Sequence, residues 1–361
     1  MPTPIRLAAA LLSVMLYPVA ARAQQPTQNS PPRNTPIQAN SRTIILNVVV
    51  TPKSGKQSRK PVAGLQKQDF TLLDNNAPQP ITSFEAVTGS QAPVEIMLLV
   101  DAVNTRYSNL AYEREQIDAF LRANGGHLAH PVSLAIFTDT GTEVQQGPST
   151  DGNQISASLD NSPTGLREIR RDSQYEGQDR FNLSMKTLQS LVSRESEHPG
   201  RKIIFWVSPG WPMLSGPRID LDARQQQQIY SEVVAISTML RQNDITLYSI
   251  DPLGAGESPG WEFYYEEFLD GVKKPGQVQL GDLALQVIAI QSGGLALTAG
   301  NDTAGRLQQC MDDTTAYYRI AYEAPPPDRS SEYHRIDVRV STPGLTAHTR
   351  TGYYAEPPPA P

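Results

Sequence analysis

Apolar positions in this chain follow two rhythms. Through the middle, short runs that are apolar almost without a break alternate with longer stretches whose apolar residues recur at helical spacing. The runs PVEIMLLVD (93–101), PVSLAIFTD (131–139), RKIIFWVSPG (201–210), ITLYSIDPLG (245–254) and GLALTA (294–299) read as buried strands. Between them, SNLAYEREQIDAFLRAN (108–124), FNLSMKTLQSLVSR (181–194), DARQQQQIYSEVVAISTMLRQND (222–244) and DLALQVIAIQSG (282–293) read as amphipathic helices. Continuous apolar strands alternating with such helices predict an α/β fold, a doubly wound, mostly parallel sheet covered on both faces.

Both flanks change rhythm. SRTIILNVVVTP (41–52) is a β-branched run. LQKQDFTLLDNNAPQPITSFEAV (65–87) alternates in patches about a turn at Asn75-Asn76. After a short helix in NDTAGRLQQCMDD (301–313), the segments TAYYRIAYEA, YHRIDVRVS and LTAHTRTGYYA alternate apolar and polar residues again. The central domain's ends are expected to lie close together, so the flanks are expected to pack on each other as a β-sandwich-like module.

The resulting division is a β segment at 41–90, a central domain at 91–305 and a second β segment at 306–356. A polar, proline-rich linker at 24–40 and a proline-rich tail at 357–361 bury too little apolar surface to order themselves. Residues 1–23 carry Arg6, an apolar stretch from Leu7 to Ala21 broken by Pro18, and the A-x-A pattern Ala21-Arg22-Ala23. This pattern predicts a signal peptide cleaved after Ala23, and a secreted or periplasmic mature protein with no membrane span.

Composition narrows the functions. The formal net charge is −6, which offers no basic stripe to neutralise phosphates and argues against nucleic acid. The single cysteine, Cys310, cannot form an intramolecular disulfide and reads as a small buried residue. No phosphate-binding glycine loop is present. FWVSPGW (205–211) puts Ser208 after a strand as a hydrolase elbow would. However, Trp206 stands at the first glycine position and Pro209 removes an amide that an oxyanion hole would use. His127 and His130 stand before a predicted strand without a third ligand and read as a solvated loop.

In open α/β sheets, ligands bind outside the carboxyl ends of the strands. Here those ends carry Asp101-Ala102-Val103-Asn104-Thr105, Thr138-Asp139-Thr140, Ser208-Pro209-Gly210-Trp211 and Asp251. VEIMLLVDAVNT (94–105), followed by these alternating elements, resembles a von Willebrand factor type A domain. With VAGLQKQDFTLLDNNAPQPITSFEAV, LYSIDPLG and the ending DDTTAYYRIAYEAPPP…YHRIDVRVSTPGLTAHTRTGYYA, the span 41–355 is similar to the acidobacterial VWFA-related domain family of secreted proteins. That resemblance implies a Rossmann-like domain that often holds Mg2+ through Asp-x-Ser-x-Ser, a Thr and an Asp from three loops, leaving one position for an acidic side chain of a protein partner.

The match to that motif is partial. Asp101 takes the Asp place and Thr105 the second Ser place, Val103 brings no oxygen, Asp179 stands near the Thr loop, and Ser208 replaces the third-loop Asp. The candidate metal ligands are therefore Asp101, Thr105, Asp179 and Ser208, with Mg2+ or no cofactor, and the competing reading of Asp101 is a cap for loop amides. Candidate partner contacts are Asn104, Trp211 and Asp251, together with Trp261, Tyr264 and Tyr265 of the aromatic insertion GWEFYYEEF (260–268). The expected function is an exported, non-enzymatic protein-binding or adhesion-like protein with a degenerate metal site. A hydrolase using Ser208 or a metal-bound water, and a structural envelope component, are the alternatives.

Overall fold

The computed structural model describes residues 42–53, 60–89, 94–145, 147–162, 175–212, 220–252, 264–298, 300 and 302–356. The predicted signal peptide, the linker, Trp261 and the proline-rich tail lie outside the described residues. In chain order the strands and helices are β1 (Thr43–Pro52), β2 (Phe70–Asp74), β3 (Ala77–Gln79), β4 (Ser83–Thr88), β5 (Val94–Asp101), α1 (Tyr107–Arg122), β6 (His127–Thr138), β7 (Gly141–Val144), β8 (Ser149–Asp151), α2 (Gly152–Asn161), α3 (Tyr175–Glu195), β9 (Arg201–Val207), α4 (Ala223–Gln242), β10 (Ile245–Ile250), α5 (Leu285–Gln291), β11 (Ala296–Leu297), α6 (Thr303–Asp312), β12 (Ala316–Glu323), β13 (Glu332–Val340), β14 (Leu345–His348) and β15 (Gly352–Ala355).

The central sheet has the order β11-β10-β9-β5-β6-β7, with β8 also on β6. Its inner pairs are parallel, and β7 and β8 run antiparallel to β6. The order reverses between β5 and β9, so the topological switch point lies there, with Asp101 as the last residue of β5 and Ser208 just beyond β9. Helices cover both faces. One core joins Leu99, Ile204, Trp206 and Leu247 to α3, α4 and α5, and the other joins Leu98, Ile203, Phe205 and Ile250 to α1, α2 and α6. The central strands are buried along nearly their whole length, which is why they read as unbroken apolar runs.

The flanks form two four-stranded antiparallel sheets, β14-β1-β12-β4 and β15-β13-β2-β3. Each sheet mixes strands from both ends of the chain: β1 pairs with β12, and β2 with β13. The expected sandwich-like module is thus present. Asn75 and Asn76 both adopt positive φ, 48° and 66°, and close the two-residue turn between β2 and β3. Tyr318, Tyr322 and Tyr353 are buried between the sheets.

Three details depart from the sequence reading. LTAHTRTGYYA divides into β14 and β15, which sit in different sheets. The edge strands β7 and β8 and helix α2 go beyond the predicted elements. Their apolar residues are too few to form a clear run, and α2 is marked instead by its cap, since Asp151 Oδ1 accepts from the Asn153 and Gln154 amides. His127 and His130 open β6 rather than forming a loop. Three positions apart on a strand, they point to opposite sides, His127 exposed and His130 buried, and cannot share one metal ion.

A buried polar cluster ties the module's two sheets together. Asp74 Oδ2 accepts from the Tyr322 hydroxyl at 2.8 Å and the Tyr353 hydroxyl at 2.9 Å, while Asp74 Oδ1 lies 2.8 Å from His334 Nδ1. Tyr322 comes from one sheet and the other three residues from its partner. Burial alone pushes the His334 imidazole down, but the bond to Asp74 and the charges of Asp74, Glu332 and Asp328 raise it overall. Its stabilising charge is therefore fully present below its ordinary value of 6.5 and fades as pH rises through the raised one. Asp74→Ala is expected to cost about 3–5 kcal/mol in urea unfolding, because it strands a buried cation and two hydroxyls. His334→Gln is expected to lose more stability at acid than at alkaline pH.

Candidate functional site

β5 ends on Asp101, and the chain must turn there from a buried strand toward α1. The carboxylate at that turn is fully buried, with 0% of the residue exposed. Oδ1 accepts from the Val103 amide at 3.0 Å and the Asn104 amide at 2.9 Å. Oδ2 accepts from Asn104 Nδ2 at 2.8 Å and Trp206 Nε1 at 2.9 Å. The Ser208 hydroxyl also faces this carboxylate. Burial pushes the Asp101 carboxyl up, opposed by its hydrogen bonds from Asn104, Trp206 and Ser208.

The same bonds fix neighbouring elements. Asn104 Nδ2 also donates to Ser184 Oγ at 2.9 Å, joining the first loop to α3. Trp206, on β9, spans the switch point, and its ring stacks edge-on with Trp211 at 5.3 Å and with Phe137 at 6.3 Å. Backbone bonds from Ala102 to Phe137 and from Ser208 to Ile250 anchor the loops to adjacent strands. Gly210, at φ 104°, turns the chain after Ser208, where a Cβ would come within 2.5 Å of Gln286 Nε2. The Ser208 hydroxyl accepts from the Gly210 amide at 3.1 Å, and no histidine is among its described hydrogen-bond partners.

The candidate metal ligands do not converge. Asp101's two oxygens already accept four N–H donors. Val103 is buried in the apolar core, and Asp179 lies exposed on α3. Of the four candidates, only Thr105 has a buried oxygen without a hydrogen bond. Mg2+ needs several oxygen ligands in near-octahedral geometry, and this set does not fit it. The reading of Asp101 as a cap for loop amides matches the geometry.

The partner-contact candidates divide. Asn104 and Trp211 are buried, and Trp211 packs on Phe181 at 6.2 Å. Tyr265 is buried with Phe268, Ala284 and Val287. These three are corrected from surface anchors to packing residues, because their side chains point into the domain. Tyr264 is half-buried against Phe268 at 5.3 Å, and Asp251 is partly exposed at the end of β10.

Two residues matter that were not singled out from the sequence. Trp206 supplies Asp101's indole donor. A Trp inside an aliphatic strand signals such a partner, since its N–H needs an acceptor when buried. Glu113 lies on the inward stripe of α1 between Leu110 and Ile117, fully buried, and neither carboxyl oxygen makes a hydrogen bond of normal geometry. Burial pushes its carboxyl well above the ordinary 4.5; the facing Thr105 hydroxyl opposes this, and the charges of Asp101 and Asp251 add to it.

No family model and no curated protein matches the chain. Solved structures do. Von Willebrand factor type A from Catenulispora acidiphila is 9% identical, with a TM-score of 0.32, over 88% of this chain and 74% of that one. The manganese-loaded TRAP protein of Plasmodium vivax is 10% identical, TM-score 0.33, over 77% and 98%. Proximal thread matrix protein 1 from the mussel byssus is 11% identical, TM-score 0.36, over 66% of this chain, which spans about half (51%) of that protein. The strand order, not these scores, defines the fold. The central unit is a doubly wound, mostly parallel α/β domain, and a von Willebrand factor type A domain is among the solved structures its fold is similar to.

For Glu113, a raised carboxyl means stability that is present below its ordinary value and lost as pH rises through the raised one. Glu113→Gln is thus expected to leave the melting temperature unchanged at acid pH and to raise it at neutral pH. Thermal melts across pH check this, and a neutral-pH loss would mean that a cation shares the site. Asp101→Ala is expected to cost roughly 2–4 kcal/mol, because it leaves the Trp206 and Asn104 donors buried and unpaired; chemical unfolding measures it.

Proposed function

We propose that this is an exported, non-enzymatic binding protein that recognises a protein partner through the loops at the carboxyl ends of β5, β6, β9 and β10, without a metal ion at Asp101. The observation that carries this reading is the saturation of Asp101 by four protein donors at the switch point. The groups that could have done chemistry there are spent on holding the first loop against β9 and α3. Ser208 supports the non-enzymatic part, being fully buried and followed by a proline with no amide to give an oxyanion. A rigid rim presented by a covered α/β sheet is a surface suited to recognition.

Export rests on the pattern at residues 1–23, and the narrower likeness to the acidobacterial secreted family rests on the quoted motifs. No helix among the described residues is long and apolar enough to cross a membrane. The expected mature N-terminus is Gln24, read by intact mass of the protein recovered from the periplasm or medium.

The rim offers two exposed residues for testing, Thr140 after β6 and Asp179 near the start of α3. Chemical cross-linking to envelope and secreted proteins, mapped by mass spectrometry, is expected to place partner cross-links on these loops. Thr140→Arg and Asp179→Arg are each expected to weaken capture of that partner about tenfold or more, one hot-spot's worth. Capture is expected to be equal with and without added Mg2+. A strict Mg2+ requirement, or cross-links confined to the flanking sheets, would overturn the reading.

A further inference from the structure

The opposite, amino-terminal edge of the central sheet carries a different group of side chains. Glu95 stands near the start of β5, Glu195 ends α3, and His198 lies in the turn before β9. Their ligand atoms all lie within 4.8 Å of one another. His198 Nδ1 is 3.3 Å from Glu95 Oε2 and 3.7 Å from Glu195 Oε2. Two donors held at zinc-like bond lengths in a tetrahedron stand about 3.4 Å apart, so both separations match the edges of such a shell.

A second observation points the same way. The Glu195 side chain is only 8% exposed, and its carboxyl lies within hydrogen-bond reach of that of Glu95, so the two acids must share either a proton or a cation. Its neighbours are the His198 ring, Arg194 Nε at 3.9 Å from Oε1, and the like-charged Glu95. All three candidate ligands line one cavity of about 210 Å3, bounded by Ile96, Val144 and Ile204. Lys202 lines it too, with its ammonium held by the Gly200 carbonyl at 3.0 Å. A buried carboxylate that faces another carboxylate across a cavity is costly unless a cation joins them.

We propose that Glu95, Glu195 and His198 bind one divalent transition-metal ion of the zinc class, with the fourth coordination position open toward the cavity. The donor set selects the class, since an imidazole with carboxylates suits Zn2+ and Co2+ better than Mg2+. The ion would pin the end of α3 to the start of β5. This site is separate from the rim on the opposite edge and does not depend on how that rim functions.

The test is titration of Co2+ into the untagged mature chain, followed by visible absorption, then by displacement with Zn2+. Saturable binding near one equivalent is expected, with the intense bands of four-coordinate Co2+. His198→Ala and Glu195→Gln are each expected to weaken binding at least about tenfold. His198 is half-exposed, so its loss should leave the metal-free melting temperature unchanged, and Zn2+ should raise the melting temperature of the parent protein but not of that variant. No saturable binding up to millimolar Co2+, or binding of undiminished affinity in both variants, would overturn the proposal.

Discussion

The carboxylate of Asp101 is the point on which the carboxyl edge of the sheet depends. An anion with no exposure to water is tolerable only where its oxygens are fully engaged. Here two backbone amides, one side-chain amide and one indole engage them. Because those donors come from the first loop and from β9, satisfying one charge fixes the path of the chain on both sides of the switch point. Asn104 extends the constraint to α3 through Ser184. The indole of Trp206 is the decisive participant. It turns the positive end of its N–H dipole to the carboxylate and packs its ring on Phe137 and Trp211, so one side chain sets both the packing and the electrostatics of the crevice.

The flanking module solves a related problem. Each end of the chain supplies too few strands to form a closed sandwich, and the structure joins them: β1 lies between β12 and β14, and β2 between β13 and β3. Asp74 then collects Tyr322, Tyr353 and His334 at the centre. The module also grips the central domain. Arg201, at the start of β9, lies 4.4 Å over the Tyr317 ring of β12, Asn47 donates to Asp244 at 2.6 Å, and the Tyr230 hydroxyl donates to the Ser331 carbonyl at 2.8 Å. Because these contacts come from several strands, the central domain and its flanks form one connected body.

The two edges of the central sheet differ in how their polar groups are used. At the carboxyl edge the Asp101 carboxylate is fully engaged, and the buried atoms left without a partner include oxygens of Asn104, Thr105, Glu113 and Asp139 and the Trp211 indole N–H. At the amino edge, Glu195 and Glu95 face each other with a histidine between them and room beside them. Polar groups fully engaged by the protein shape a surface, whereas groups left incompletely engaged beside a cavity are able to take a ligand.

The sequence by itself determined the layers. Unbroken apolar runs such as IMLLV and IIFWV can be stable only inside a sheet covered on both faces, and the strand-like rhythm of the flanks marked them as β, so periodicity set the α/β centre and the β flanks; that β12 is buried on both faces came from the tertiary structure. It also marked Asp101 as special, by placing a carboxylate at the end of such a run. Only the tertiary structure decided what that carboxylate does, because its partner Trp206 lies 105 residues away and is brought beside it by strand order. The division of LTAHTRTGYYA between two sheets, the inward turn of Trp211 and Tyr265, and the meeting of Glu95 with Glu195 and His198 were settled in the same way. Local pattern reports whether a residue is buried; which groups it meets there is fixed by long-range pairing that no short window contains.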